Sequence, residues 1–292
     1  MTLRDLLRQL PFERFRNPPP IVAVLRLNGV IGLRGRRGLS LAGKATAIER
    51  AFKLSGLAAV ALSINSPGGS PVQSALIFRR IRQLAEEKNI PVLAFAEDVA
   101  ASGGYWLALA GDEIYAEETS ILGSIGVVSG GFGFAELLRR VGIARRLYTS
   151  GERKALLDPF LAEDPKGVER LEALQRDIHG SFKDIVRLRR GAKLKGDDAT
   201  LFNGDIFTGR GALANGLIDG IGELRGILRA RFGDKVRLRL VDGEKRRLLP
   251  GLPRLPGTRD RFAASPGEFA GEFIGDLLAS VEERLFWGRF GL

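Results

Sequence analysis

Short apolar runs alternate with stretches of helical spacing along this chain, and the alternation predicts an α/β fold. Residues 21–27 form an apolar run of strand length directly after Pro18, Pro19 and Pro20, a stiff break that no helix crosses. A second run, 57–64, ends in Asn65-Ser66-Pro67-Gly68-Gly69. Residues 72–88 then show helical spacing through Ala75, Leu76, Ile81 and Leu84, and 91–95 completes a strand, turn, helix and strand. Such a βαβ unit implies a mainly parallel sheet with helices outside it.

The theme continues downstream. Residues 100–110 are small and read as helical after Asp98; 113–116 and 125–128 read as brief strands, 134–141 as a helix, and 146–149 as a strand leading to Gly151. Residues 166–190 carry Val168, Leu171, Leu174, Ile178, Phe182, Ile185 and Val186 near a 3.6-residue period, which predicts a long amphipathic helix. Short helices are expected at 209–215 and 224–232, around the turn Gly216-Leu217-Ile218-Asp219. Prolines at 250, 253, 256 and 266, with basic residues between them, suggest an extended arm, and 268–286 a terminal amphipathic helix. The expected organisation is an N-terminal arm over 1–20, a folded domain over 21–240, and a C-terminal arm with its helix over 241–292.

Composition narrows the function classes. Hydrophobic residues at 45% and charged residues at 27% are ordinary for a folded chain and unlike a disordered one. The absence of cysteine removes disulfides, thiolate zinc sites and a cysteine nucleophile together. A formal net charge of +11 directs attention to acidic partners. The basic clusters, among them Arg34/Arg36/Arg37 and Lys245/Arg246/Arg247, lack interleaved stacking aromatics, so specific nucleic-acid binding is not expected.

No window reaches the roughly 20 consecutive apolar residues of a spanning helix, and the first twenty residues lack a signal-peptide core, so a cytoplasmic location is the expectation. Leu3, Leu6, Leu7, Leu10 and Phe15 set against Arg4, Arg8, Arg14 and Arg16 suit a stretch lying on the anionic inner face of a membrane. They suit equally a short helix packed on its own domain or on a neighbour.

Two glycine turns carry the candidate chemistry. Ala101-Ser102-Gly103-Gly104-Tyr105 sets a serine among small residues at a helix start, where its hydroxyl can protrude and Gly103 offers a free N–H. The same letters suit a plain N-cap serine. Ser66-Pro67-Gly68-Gly69 turns from strand to helix at the C-terminal edge of the sheet, where ligands of open α/β folds bind. Amides of Gly69 and Gly103, arriving from separate turns, are what an oxyanion hole requires.

Asn65-Ser66-Pro67-Gly68-Gly69 followed, after a helix and a strand, by Ala101-Ser102-Gly103-Gly104-Tyr105 resembles the paired signature of SppA-type serine peptidases. These are the signal peptide peptidases of family S49, here in the short form, relatives of the Clp type on the crotonase-like fold with its repeated ββα units. The resemblance runs from about Ile21 to Leu240. It implies that Ser102 is the nucleophile and that Gly69 and Gly103 are the oxyanion donors. The Clp pattern demands a histidine about two dozen residues after the serine, and none stands there; the single histidine, His179, falls inside the long helix and reads as structural. The SppA-type family uses a lysine roughly fifty residues downstream, which implies Lys154 as the base, with Ser124 as the polar residue that orients its amine.

A lysine with its ordinary pKa near 10.4 is protonated at neutral pH, so a base at this position is expected to be desolvated beside Ser102. The resemblance further implies unfolded, apolar polypeptide substrates such as signal peptides, and a homo-oligomeric ring in which serine and lysine can come from neighbouring subunits; no cofactor or metal is expected. Two other functions remain open on the sequence. Acyl-CoA hydratases and isomerases share the fold and use paired glutamates, for which only Glu97, Asp98, Asp112 and Glu113 are near. An inactive membrane-associated scaffold is the third.

Overall fold

The computed structural model describes residues 18–32, 38–151, 153–241, 281 and 283–291. The predicted surface stretch 2–15 and the proline-rich arm beyond 241 lie outside the described residues. Of the predicted terminal helix, residues 281 and 283–286 are helical, and the helix continues to 288.

Among the described residues the strands form a single eight-stranded sheet. Its strands are β1 (Ile21–Asn28), β2 (Leu57–Ser66), β3 (Val92–Ala101), β4 (Glu113–Ala116), β5 (Ile121–Gly123), β6 (Ile206–Thr208), β7 (Gly220–Ile221) and β8 (Arg237–Val241). The order is β6-β5-β3-β2-β1-β8, with β4 beside the first half of β3 and β7 beside β4. Every pairing is parallel except β5 with β6, which meets the expectation of a mainly parallel sheet.

The helices are α1 (Leu41–Phe52), α2 (Pro71–Lys88), α3 (Gly103–Ala108), α4 (Ala135–Arg140), α5 (Pro165–Arg190), α6 (Asp198–Leu201), α7 (Gly209–Ala214) and α8 (Leu224–Phe232). On one face of the sheet, α1, α2, α3, α5 and α7 bury the large core that includes Leu25, Leu27, Leu62, Ile64, Ile77, Ile81, Tyr105 and Phe182. On the other, α8 covers Val22, Val24, Ala59, Ala61, Leu93 and Phe95 through Leu228. Strands buried on both faces read as continuous apolar runs, which is why 57–64 was conspicuous in the sequence.

Helix ends follow local chemistry. In α2 the Ser70 side chain accepts from Gln73 N, Pro71 opens the first turn, and Asn89 closes the helix in the left-handed region at φ 50°. Helix α1 left only a faint trace in the apolar pattern, because two of its four buried residues, Ala47 and Ala51, are alanines.

Three expected elements differ. The small residues Ala100 and Ala101 belong to β3, because Val99–Ala101 pair with Ile121–Gly123. The strand expected at 125–128 lies instead at Ile121–Gly123, ended by Ser124 at φ 50°. Residues 146–149 have no strand pairing; from 128 to 166 no described residue is buried, so nothing there offers a ladder.

Candidate active site

The two glycine turns meet at the C-terminal edge of the sheet. Strand β3 ends at Ala101 and α3 begins at Gly103, so Ser102 alone makes the corner, at φ 52° and ψ −122°. A non-glycine residue held there costs on the order of 1–3 kcal/mol. The corner is over-determined: Ser102 N donates to Gly123 O at 2.8 Å and Trp106 N donates to Ser102 O at 3.1 Å. The Ser102 side chain makes no capping bond to the helix, which sets it apart from a plain N-cap serine. A sharp, strained strand-to-helix turn of this kind lifts a hydroxyl clear of the backbone.

The other turn lies against it. Gly68 (φ 105°) approaches so closely that a Cβ there would sit 2.7 Å from Ser102 Cβ and 3.0 Å from Gly103 N. At Gly69 (φ 134°) a Cβ would sit 2.1 Å from Ile31 O. Ile31 holds this turn from outside, donating to Gly68 O at 2.7 Å and accepting from Ser70 N at 2.8 Å. Those two bonds leave Gly69 N directed elsewhere, and a Cβ on Gly103 would lie 3.4 Å from it. Among the described residues neither the Gly69 nor the Gly103 amide has an acceptor, so two unpaired N–H groups converge beside Ser102. The Gly68 amide, by contrast, is occupied by Ser66 Oγ at 3.2 Å.

Ser124 stands next to this corner. The β3–β5 register pairs Ala101 with Gly123, and the Ser102 N to Gly123 O bond extends it by one step. Ser124 is nearly buried and held at φ 50° by donation from its N to Asp205 O at 2.6 Å. Ser102, Gly69, Gly103 and Ser124 are therefore brought together by one chain.

Lys154 is not. Its side chain is exposed, on the turn after Ser150 and Gly151, and its Nζ has no hydrogen bond or ion pair among the described residues. The desolvated contact with Ser102 expected for a base is absent within the single chain. The cause is that the segment carrying Lys154, roughly 128–164, packs on itself and on the first turns of α5, with bonds such as Phe134 N to Pro159 O at 2.6 Å and the Arg145–Asp158 ion pair at 2.9 Å.

Below the corner, α3 is anchored by a polar lock. The fully buried Tyr105 hydroxyl donates to Leu217 O at 2.7 Å, and burial pushes its ionisation well above the usual phenol range. Asp219 accepts from Ile114 N at 2.8 Å, from Arg190 at 2.7 Å and from Lys193 at 2.6 Å. Burial pushes the Asp219 carboxyl up, and the hydrogen bonds from Arg190, Lys193 and Ile114 outweigh it, leaving it below the usual carboxylate value.

The acidic candidates for a hydratase-like reaction are engaged elsewhere. Glu97 accepts from Ser63 at 2.5 Å, Asp98 from Asn65 at 2.6 Å, Asp112 from Arg82 at 2.7 Å, and Glu113 from Arg231 and Tyr115. Sequence reasoning did not single out Ile31 or Asp205. Ile31 and Asp205 act through backbone atoms far away in sequence, for which side-chain identity gives no signal.

A hydroxyl on a strained corner, with two unpaired amides beside it at the edge of a parallel sheet, is the equipment of enzymes that work through an acyl-serine. The model of Peptidase family S49 matches residues 84–232, and the chain belongs to that family. It is 34% identical over 214 residues to the chloroplastic serine protease SPPA of Arabidopsis thaliana, covering 70% of this chain and 31% of that protein. It is 49% identical over 296 residues to a Brucella abortus protein bearing the name Na(+)/H(+) antiporter NhaA, covering 99% of this chain and 39% of that one. The chain thus spans about a third to two fifths of these relatives. Among the described residues no helix is long and apolar enough to cross a membrane. A solved structure of a membrane-bound stomatin-specific protease is similar over 78% of this chain and all of its own, at 16% identity and a TM-score of 0.46.

Proposed function

We propose that the chain is a serine endopeptidase acting through a Ser102/Lys154 dyad shared between neighbouring subunits of a homo-oligomeric ring. The strained Ser102 corner facing the free amides of Gly69 and Gly103 carries this reading, since a structural turn needs neither the strain nor the unpaired donors. Ser102 Oγ attacks the scissile carbonyl while an uncharged Lys154 amine takes its proton. The amides hold the oxyanion, the protonated amine hands its proton to the leaving amine, and water activated by the same lysine releases the acyl group. Ser124 orients the amine.

Exposure of Lys154 in one chain favours a base supplied across an interface, because burial between subunits disfavours the ammonium form. The segment that bears it exposes Val128 at 70%, Phe132 at 80%, Ile143 at 58% and Tyr148 at 89%, apolar surface of the kind that marks an interface. The substrates in this reading are unfolded, apolar polypeptides, signal peptides among them. The protein works in the cytoplasm, with the leucine and arginine pattern of 2–15 resting on the inner face of the membrane.

The test is hydrolysis of an unfolded polypeptide by wild type, Ser102→Ala and Lys154→Ala, separately and mixed. Each variant alone is expected to be inactive, and the co-assembled pair to regain about a quarter of wild-type activity, the share of sites that draw one intact residue from each neighbour. Equal activity in all three proteins would end the dyad proposal. Inactive single variants with no recovery on mixing would place both residues in one subunit.

A further inference from the structure

The long helix α5 touches both sides of the candidate site within one turn of itself. Three residues apart, His179 and Phe182 lie on neighbouring positions of the same face. The Phe182 ring stacks on Trp106, with centroids 4.8 Å apart and an interplanar angle of 19°. Trp106 closes the first turn of α3 by donating to Ser102 O. His179 Nε2 lies 3.1 Å from Ile125 O, the carbonyl immediately after Ser124. A carbonyl only accepts, so Nε2 carries the hydrogen, in the neutral ring and in the imidazolium alike.

The bond has a definite origin. Strand β5 ends at Gly123, Ser124 enters the left-handed region, and the next carbonyl leaves the sheet with no ladder partner. The Ile125 side chain is fully buried, and a buried carbonyl without a donor costs about 1–3 kcal/mol. His179 fills that need. Two residues later the chain departs into the exposed segment that carries Lys154, and that segment returns to pack residues 153–157 beside the first turns of α5. The β3–β5 register sets Ser124 beside Ser102, and α5 braces that arrangement from both sides, through Phe182 on Trp106 and through His179 on the Ile125 carbonyl, where the chain leaves for the Lys154 segment.

We infer that His179 is a positioning residue for the Ser102/Lys154 reaction, pinning the Ser124–Ile125 turn to α5 at a fixed distance from the nucleophile. The inference rests on the peptidase reading above. His179 touches none of the reacting atoms and acts through the backbone on which Ser124 stands. A misplacement of the orienting turn by about 1 Å is enough to cost on the order of 100-fold in rate.

The experiment compares full-length wild type, Ser102→Ala, His179→Ala and His179→Gln by kcat and KM on one unfolded polypeptide, by the rate of fluorophosphonate labelling at Ser102, and by thermal midpoint. His179→Ala is expected to lower kcat at least tenfold with KM within twofold, while labelling persists. His179→Gln, which keeps an N–H donor of similar reach, is expected to recover most of the loss. His179→Ala activity within twofold of wild type overturns the inference. So does a glutamine variant that folds normally yet is as impaired as the alanine variant, or a loss that appears only in step with a lowered melting point. Wild type that neither turns over nor labels at Ser102 overturns the peptidase reading first, and the positioning role with it.

Discussion

Ser102 holds its backbone at φ 52° in the place where the proposed mechanism needs a hydroxyl, which in that reading sets stability against function at one residue. Glycine at 102 relieves a strain of about 1–3 kcal/mol, offset by the roughly 0.5–1 kcal/mol that its greater freedom in the unfolded chain costs. Alanine removes the hydroxyl and keeps the strain. Ser102→Gly is therefore expected to be about 1 kcal/mol more stable than Ser102→Ala, with both inactive, as read from urea midpoints. A glycine variant less stable than the alanine variant would show that the corner holds no strain. The neighbouring glycines act differently: Gly68 and Gly69 are needed because two backbones pass where a Cβ of either would collide.

Between elements, the lock of Asp219 on Arg190 and Lys193 joins α5 to the turn that supports Tyr105 and α3. The Arg190 side chain is 2% exposed, so losing its carboxylate partner strands a buried cation. Asp219→Asn is expected to cost about 3–5 kcal/mol at pH 7, measured by urea unfolding. The pH dependence follows from the lowered Asp219 ionisation. A carboxyl whose folded value lies below its unfolded value contributes stability above the unfolded value, near 3.9 for an aspartate, and loses it as pH falls through the folded one. The difference between wild type and Asp219→Asn should accordingly narrow below about pH 4. A difference as large at pH 3 as at pH 7 would show that this carboxylate does not supply the effect.

For the molecule as a whole, the single chain holds one half of its proposed chemistry in a rigid corner and the other half on exposed surface. The sheet and the helices on its two faces form a closed core, while residues 128–166 contribute none of the buried positions. In the assembled protein, Phe132 and Tyr148 are expected to lie in an interface. Phe132→Asp and Tyr148→Asp should lower the particle mass by light scattering toward the 31.7 kDa chain, with unchanged circular dichroism. Activity should fall at least tenfold in step with the mass, because the base no longer reaches the nucleophile. Full activity in a monomeric variant would refute the shared site.

What the sequence determined by itself was everything that local pattern and paired motifs encode. Apolar runs located β1, β2 and the first part of β3; helical periodicity located α2 and α5 to within a residue; the Ser-Pro-Gly-Gly and Ser-Gly-Gly turns located the corner and its amides. Each of these depends on neighbours a few residues apart, so spacing alone carries the information. Tertiary structure decided what rests on distant backbone. It extended β3 to Ala101 through pairing with β5, moved the next strand to Ile121–Gly123, and set Ser124 beside Ser102 by register. It gave Ile31, Asp205 and His179 roles as donors or acceptors that no spacing announces, because the groups they meet are main-chain atoms. It also left Lys154 in solvent, since the environment of a side chain is fixed by what packs around it, and a single chain supplies nothing there.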